Sequence, residues 1–277
     1  MKNILTVDLE DWFSVETFQK IIAPKDWLTQ KPTVESATDK ILNLFQKRNV
    51  RATFFVLGWI ADQYPDMVAR VAGAGHEIAC HSYYHRMVCS LSPEEFKADT
   101  NMAVNAIFKA CGVHPNGYRS PSWGIRRDMT WAFEILAEFG FKYDSSIFPI
   151  QHDIYGDPTA PRRVHEITVS SGKRIIEIPA STVMVFGRRL PLGGGGWLRQ
   201  FPYWYTRWGI RRLSRENMPV IVYFHPWELD PDIPRVDLKM RDRFRQYGSL
   251  KTMEYKVENL LSDFDFFTVS EYIDSLS

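Results

Sequence analysis

The sequence predicts an α/β protein built from repeated strand–helix units, and three observations carry that expectation. Short apolar runs alternate with amphipathic stretches at intervals of roughly 30 residues, the pattern of βαβ repeats that form a parallel sheet or barrel. Chemistry-bearing residues recur at the carboxyl ends of those runs. The chain of 277 residues, 45% hydrophobic and 14% aromatic, can bury a substantial core, enough for one domain over residues 1–277.

Taken in order, Ile4 to Val7 reads as a buried first strand that stops at Asp8-Leu9-Glu10-Asp11-Trp12-Phe13. Thr33 to Asn49 is an amphipathic helix behind polar starters, and Ala52 to Leu57 a second buried strand ended by Gly58. Pro65 to Ala72 is a helix closed by Gly73 and Gly75. The third strand runs through His76 to Cys80 into His81 and His85. Ser92-Pro93-Glu94-Glu95 is a capping box with proline at the first helical position, opening a helix to Cys111 before Gly112. Strands at Gly117 to Arg119 and Phe141 to Tyr143 bracket a helix from Asp128 to Phe139. Ile150 to Arg174 is an irregular excursion over the barrel mouth, and a strand resumes at Arg174 to Ile178. The four glycines Gly193 to Gly196 suit either close backbone approach to a ligand or a plain flexible loop. Phe201 to Arg215 mixes Trp204, Tyr205 and Trp208 with four arginines. It is expected to pack its aromatics on the barrel, with peripheral contact to a membrane surface as the other reading. Pro219 to Phe224 is the last buried strand, ending at His225-Pro226-Trp227-Glu228. A C-terminal extension from about residue 231 to 277 is expected to pack on the barrel.

Charge and cysteine content narrow the function. A formal net charge of +1 makes no electrostatic case for nucleic acid. The N-terminal stretch turns acidic within a few residues, unlike a signal peptide, and no segment has the length and hydropathy of a membrane span, so the expected location is cytoplasmic. Three cysteines, an odd number, fit free thiols in a reducing compartment.

The polar groups at strand ends form a constellation. His81 and His85, four apart, are expected to share one face of a helical turn, so that both imidazoles reach one ion. A catalytic zinc takes three protein ligands, so an acidic third ligand is required. On an extended segment Asp8 and Glu10 share a face, which favours Glu10, while Asp11 serves if the chain bends. Arg119, Asp144 and His225 lie at later strand ends, and in a parallel barrel such ends converge on one face.

With these residues in place the chain resembles the polysaccharide deacetylases of the NodB-homology type, carbohydrate esterase family 4. The motifs that carry the resemblance are Thr6-Val7-Asp8-Leu9-Glu10-Asp11, His81-Ser82-Tyr83-Tyr84-His85, Arg119-Ser120-Pro121-Ser122-Trp123, Asp144-Ser145-Ser146 and Phe224-His225. The acidic start, the glycine loop into Trp197 and Arg243-Phe244-Arg245-Gln246-Tyr247 look like the subgroup found with exopolysaccharide assembly loci. The resemblance implies a distorted (β/α)7 TIM-like barrel that removes N-acetyl groups from an N-acetylated sugar or polysaccharide precursor. It implies a divalent cofactor, Zn2+ first, with Co2+, Ni2+ or Mn2+ as alternatives. It further implies Asp8 as base, His225 as acid, Arg119 steadying the base, Asp144 keeping His225 charged, and a backbone N–H at Ser122 for the oxyanion. The family motif usually has two adjacent aspartates, whereas Leu9 follows Asp8 here. Trp123 and Trp227, with Trp12 and Trp197, suit stacking on sugar faces, burial in the core being the other reading. Hydrolysis of a small cyclic or linear amide, or carbohydrate binding without catalysis, are the competing functions.

Overall fold

In the computed structural model, residues 2–152 and 155–276 are described, so residues 153 and 154 of the expected excursion lie outside the description. The chain opens with β1 (Asn3–Leu9), α1 (Glu16–Gln19), α2 (Val34–Arg48), β2 (Thr53–Val56), α3 (Gly58–Gln63) and α4 (Pro65–Gly73). It continues with β3 (Glu77–Cys80), α5 (Pro93–Cys111), β4 (Gly117–Tyr118), α6 (Thr130–Glu138), β5 (Tyr143–Asp144), β6 (His165–Thr168) and β7 (Arg174–Glu177). β8 (Thr182–Val185), β9 (Arg188–Pro191), α7 (Gly195–Gln200), α8 (Tyr203–Arg215) and β10 (Ile221–Phe224) follow. The last elements are α9 (Met240–Tyr247), α10 (Met253–Asp263), β11 (Phe266–Phe267) and α11 (Val269–Asp274). Hydrogen-bonded order in the main sheet is β10-β1-β2-β3-β4-β5-β7-β6, with β11 also on β1. Its pairings are parallel wherever the register is given, except β6 against β7. This is the mixed α/β architecture expected of a (β/α)7 barrel. The strand β6 was missed in the sequence because its residues alternate between half-buried and exposed, without an apolar run.

Two compact units share the chain, with boundaries that cut through β2 and β3. The first holds residues 1–54, 73–77 and 192–277. Its axis is β1, buried along its whole length, with Val7 opposite Phe224 of β10 and Ile4 opposite Phe267 of β11. A strand covered on every side reads as a continuous apolar run, which is why β1 and β10 were visible in the sequence. The glycine run serves this unit: a Cβ on Gly194 would sit 1.8 Å from Cδ1 of Tyr223. The close approach is therefore to the Tyr223 ring on β10, not to a ligand, and Tyr223 N–H donates to the Gly193 carbonyl (3.0 Å).

The second unit holds residues 55–72 and 78–191. Its strands β3, β4 and β5 pair in parallel, with β7 beyond β5. Helix α5 begins and ends where the sequence predicts: Ser92 and Glu95 complete the capping box, and Gly112 takes the left-handed conformation at φ 71°. Gly58 at the start of α3 lets α5 approach, since a Cβ there would lie 2.7 Å from the Ala103 Cα.

Candidate metal centre and its acid–base surroundings

In the first unit the site is built on adjacent strand ends. Because Val7 and Phe224 are register partners, Asp8, the next residue on β1, stands beside His225, the first residue after β10. His225 Nε2 lies 3.8 Å from Asp8 Oδ2 and 3.5 Å from Glu10 Oε1. On its other side His225 Nδ1 is 2.9 Å from Glu228 Oε2, which also accepts the His225 backbone N–H (3.0 Å). Glu228 is held in turn by the buried Arg199 guanidinium at 2.9 Å. Burial opposes charge on the imidazole, but Glu228, its hydrogen bond, Glu10 and Asp8 outweigh it and raise the His225 pKa to about 9. Burial pushes the Glu228 carboxyl up, yet Arg199 and His225 bring it below its ordinary value, so it is a carboxylate. Trp227 stacks on the imidazole, with ring centroids 5.4 Å apart and planes 18° from parallel.

This geometry corrects the expectation for Asp144. The group that keeps His225 charged is Glu228, and Asp144 is engaged elsewhere. Asp144 Oδ1 accepts the Ser146 hydroxyl (2.6 Å) and Oδ2 the Ser146 N–H (3.2 Å). Glu177 stands opposite it in the β5–β7 register. Both are fully buried; burial first, then the Asp144 charge, push the Glu177 carboxyl well up, and burial raises Asp144 to about 6. Glu177 Oε1 accepts the Ile147 N–H at 3.0 Å, and Oε2 is buried without a hydrogen-bond partner. The Ser146 hydroxyl oxygen accepts the Ser120 N–H (2.8 Å), tying this pair to the turn Arg119–Trp123.

Asp11 is also reassigned. Its oxygens accept the N–H groups of Trp12, Thr33 and Val34 at 2.8–3.1 Å and the Thr33 hydroxyl at 2.9 Å. It caps the start of α2, whose own N-cap residue Thr33 makes no side-chain cap bond. Burial pushes its carboxyl up despite these four donors.

In the second unit His81 and His85 follow β3, but not on a helical turn: no helix covers residues 81–85. The chain instead bends through two left-handed residues, Ser82 at φ 63° and His85 at φ 54°, leaving the imidazole centroids 5.3 Å apart. Such backbone is costly for residues other than glycine and persists where surroundings hold it. Asp99, buried in the middle of α5, accepts the Tyr83 N–H (2.7 Å), and Ser82 Oγ accepts the His85 N–H (3.1 Å). The Ser82 carbonyl takes the Gly58 N–H at 2.8 Å. His81 Nδ1 lies 2.8 Å from the Arg119 carbonyl and so carries its proton there, leaving Nε2 as a lone-pair donor. Arg119 is buried, its guanidinium 4.0 Å from the Phe55 ring centroid and 4.9 Å from that of Trp123, with Nη2 donating to Ser145 Oγ (3.1 Å). Ser122 and Trp123 are again left-handed, at φ 50° and 54°. Trp123 lines a groove of about 160 Å³ with Arg126, His152 and Tyr155.

Glu10, His81 and His85, all buried, each offer one ligand atom, and these atoms lie within 4.8 Å of one another. Two imidazoles and a carboxylate are the donor set of an open divalent site. The sequence reading had missed Glu228, Arg199, Asp99 and Glu177. Only Glu228 left a signal, the spacing of a capping acid three residues after His225.

Residues 26–143 match the family described as polysaccharide deacetylase, and residues 145–274 match a domain of unknown function, DUF3473. A peptidoglycan-N-acetylglucosamine deacetylase of Bacillus cereus is 33% identical over 98 residues, 35% of this chain and 36% of that protein. The matched segment thus spans about a third of that relative's length. A structure from Mycobacterium smegmatis, assigned to the polysaccharide deacetylases, superposes with a TM-score of 0.64 at 19% identity, covering 99% of this chain and 91% of the other. A family 4 pseudoenzyme from Bacillus anthracis superposes at 0.50 with 15% identity, over 98% of this chain and 65% of its own. Likeness at such identities shows the fold alone, so the residues at the site must decide the chemistry.

Proposed function

We propose, from the match of residues 26–143 to the polysaccharide deacetylase family and from the site, that the chain is a metal-dependent hydrolase that removes N-acetyl groups from an N-acetylated saccharide. The observation that carries this reading is the cluster of Glu10, His81 and His85 ligand atoms within 4.8 Å. These three residues would hold a divalent ion, Zn2+ being the first expectation for two imidazoles and a carboxylate. When bound, such an ion polarises the amide carbonyl and makes water a stronger acid. Asp8, on β1 two residues before Glu10, takes the proton from the attacking water. His225, whose raised pKa keeps it protonated at neutral pH, donates a proton to the departing amine. The left-handed turn at Ser122 presents a backbone N–H to the developing oxyanion. Trp123, which lines a groove with Arg126, His152 and Tyr155, offers a ring face for a sugar to stack on.

The test is acetate release from N-acetylglucosamine oligomers by metal-loaded protein, with a cyclic ureide as competing substrate. Acetate release that disappears on chelation and returns with metal supports the reading. Hydrolysis of the ureide alone would make the protein a small-amide hydrolase. Oligosaccharide binding without hydrolysis would make it a binding protein.

A further inference from the structure

The aromatic residues of α8 do not pack inward as the sequence led us to expect. The helix buries Thr206, Gly209, Ile210 and Leu213, and turns Trp204 (67% exposed) and Trp208 (38% exposed) outward. Of nine tryptophans these are the two that are exposed, and they stand four residues apart on one face. The same face carries Arg207, Arg211, Arg212 and Arg215, which with the tryptophans line a groove of about 360 Å³. Asp263 pairs with Arg207 at 2.9 Å and Glu216 with Arg212 at 3.5 Å, while Arg211 and Arg215 have no ion-pair partner among the described residues. The surface continues onto α9. Gln200, at the end of α7, donates to the Phe244 carbonyl (3.3 Å), and its neighbour Phe201 is exposed and stacks on Tyr205 at 4.8 Å. On α9 Met240 is 88% and Phe244 64% exposed, among Lys239, Arg241 and Arg243.

A chain whose net charge is +1 has therefore gathered six exposed cations and four large apolar side chains on two helices of one unit, with Lys239 and Phe201 exposed just before each helix begins. Large exposed apolar patches on soluble proteins mark interaction sites. We propose that this face of α8 and α9 docks on an anionic lipid bilayer. Charge complementarity selects an anionic partner. Met240, Phe201 and Phe244 favour acyl chains over an acidic glycan, because a methionine has nothing to offer sugar hydroxyls. Tryptophan and arginine together suit the boundary between headgroups and acyl chains, where the indole sits at the interface and the guanidinium binds phosphate.

The test is flotation of the whole chain with vesicles of phosphatidylcholine alone or mixed with phosphatidylglycerol. The protein should float with the anionic vesicles only, and less so as salt is raised. Trp204→Ala/Trp208→Ala and Arg211→Glu/Arg215→Glu should each cut the bound fraction at least about tenfold. Neither pair belongs to the proposed catalytic machinery, so acetate release from a soluble oligosaccharide should be unchanged. A blue shift of indole emission on vesicle addition should vanish in the double tryptophan variant. Equal partition onto both vesicle types, no partition, or variants that bind like wild type would overturn the proposal. So would a wild-type dimer that dissociates in the tryptophan variant, or retention on a soluble acidic polysaccharide without vesicle binding.

Discussion

The two units hold their candidate functional residues by different physics. Asp8, Glu10 and His225 stand on the ends of two paired strands, and their character comes from charge: Arg199, Glu228 and His225 form a buried chain of alternating sign. His81 and His85 stand on a loop of left-handed residues, and their position comes from backbone bonds to Asp99, Ser82 and the Arg119 carbonyl. The first arrangement tunes protonation on a rigid base. The second spends strain to aim two rings. Mutations should therefore alter pH behaviour on one side and metal affinity on the other.

The largest effect is expected on the loop side. His81→Ala and His85→Ala should each abolish metal binding and acetate release, read by elemental analysis beside an activity assay. On the strand side, His225→Ala should keep metal and fold yet lose roughly 10²- to 10⁴-fold in kcat. Full activity in that variant would remove His225 as the acid. Asp99→Ala frees the Tyr83 N–H and should weaken metal affinity by roughly 10- to 100-fold with the pH profile unmoved, as loss of a group that orients ligands does. A chelator-competition titration measures it, and unchanged affinity would show that the loop holds itself.

Glu228→Gln probes the charged side. Glu228 is the principal group raising the His225 pKa, so its neutralisation lets burial lower that pKa. Protonated His225 is the active form, so the alkaline limb of kcat/KM should move to lower pH while metal content stays the same. An alkaline limb that moves instead in Asp144→Asn would restore the role first assigned to Asp144.

A smaller, purely structural effect is expected at His76. It is buried against Phe45 and Phe54, its Nδ1 accepts the Ala52 N–H at 3.2 Å, and burial, then Arg51, lower its pKa to about 4. Its folded value lies below the ordinary 6.5, so its contribution is complete above about pH 6.5 and fades as pH falls toward 4, by on the order of 2–3 kcal/mol. Denaturant midpoints at pH 7 and pH 4.5 should show this loss, and it should shrink in His76→Gln.

What the sequence disclosed follows the same division. Strands β1, β2, β3 and β10 were visible because burial makes them continuously apolar, and α5 because its cap residues are local signals. Asp8, His81, His85 and His225 were found by their place at strand ends. What distance in sequence conceals was not found: Asp99 supports a loop 14 or more residues earlier, and Arg199 meets Glu228 across 29 residues. Left-handed backbone at Ser82 and His85 has no signature when the residue is not glycine, so a helical turn was the wrong inference from a four-residue spacing. The outward tryptophans of α8 were misjudged because aromatic content alone does not say which face a helix buries.

The parity of β1 left Glu10 and Asp11 as rival ligands, and the structure separates them by their partners. Metal stoichiometry of Glu10→Gln and Asp11→Asn, purified side by side and analysed with their melting curves, tests the centre most directly. The expected result is that Glu10→Gln loses the ion while keeping its melting temperature in the presence of chelator. Asp11→Asn should keep the ion and melt lower, because the start of α2 loses its cap. An Asp11→Asn protein without metal beside a fully loaded Glu10→Gln protein would contradict the account.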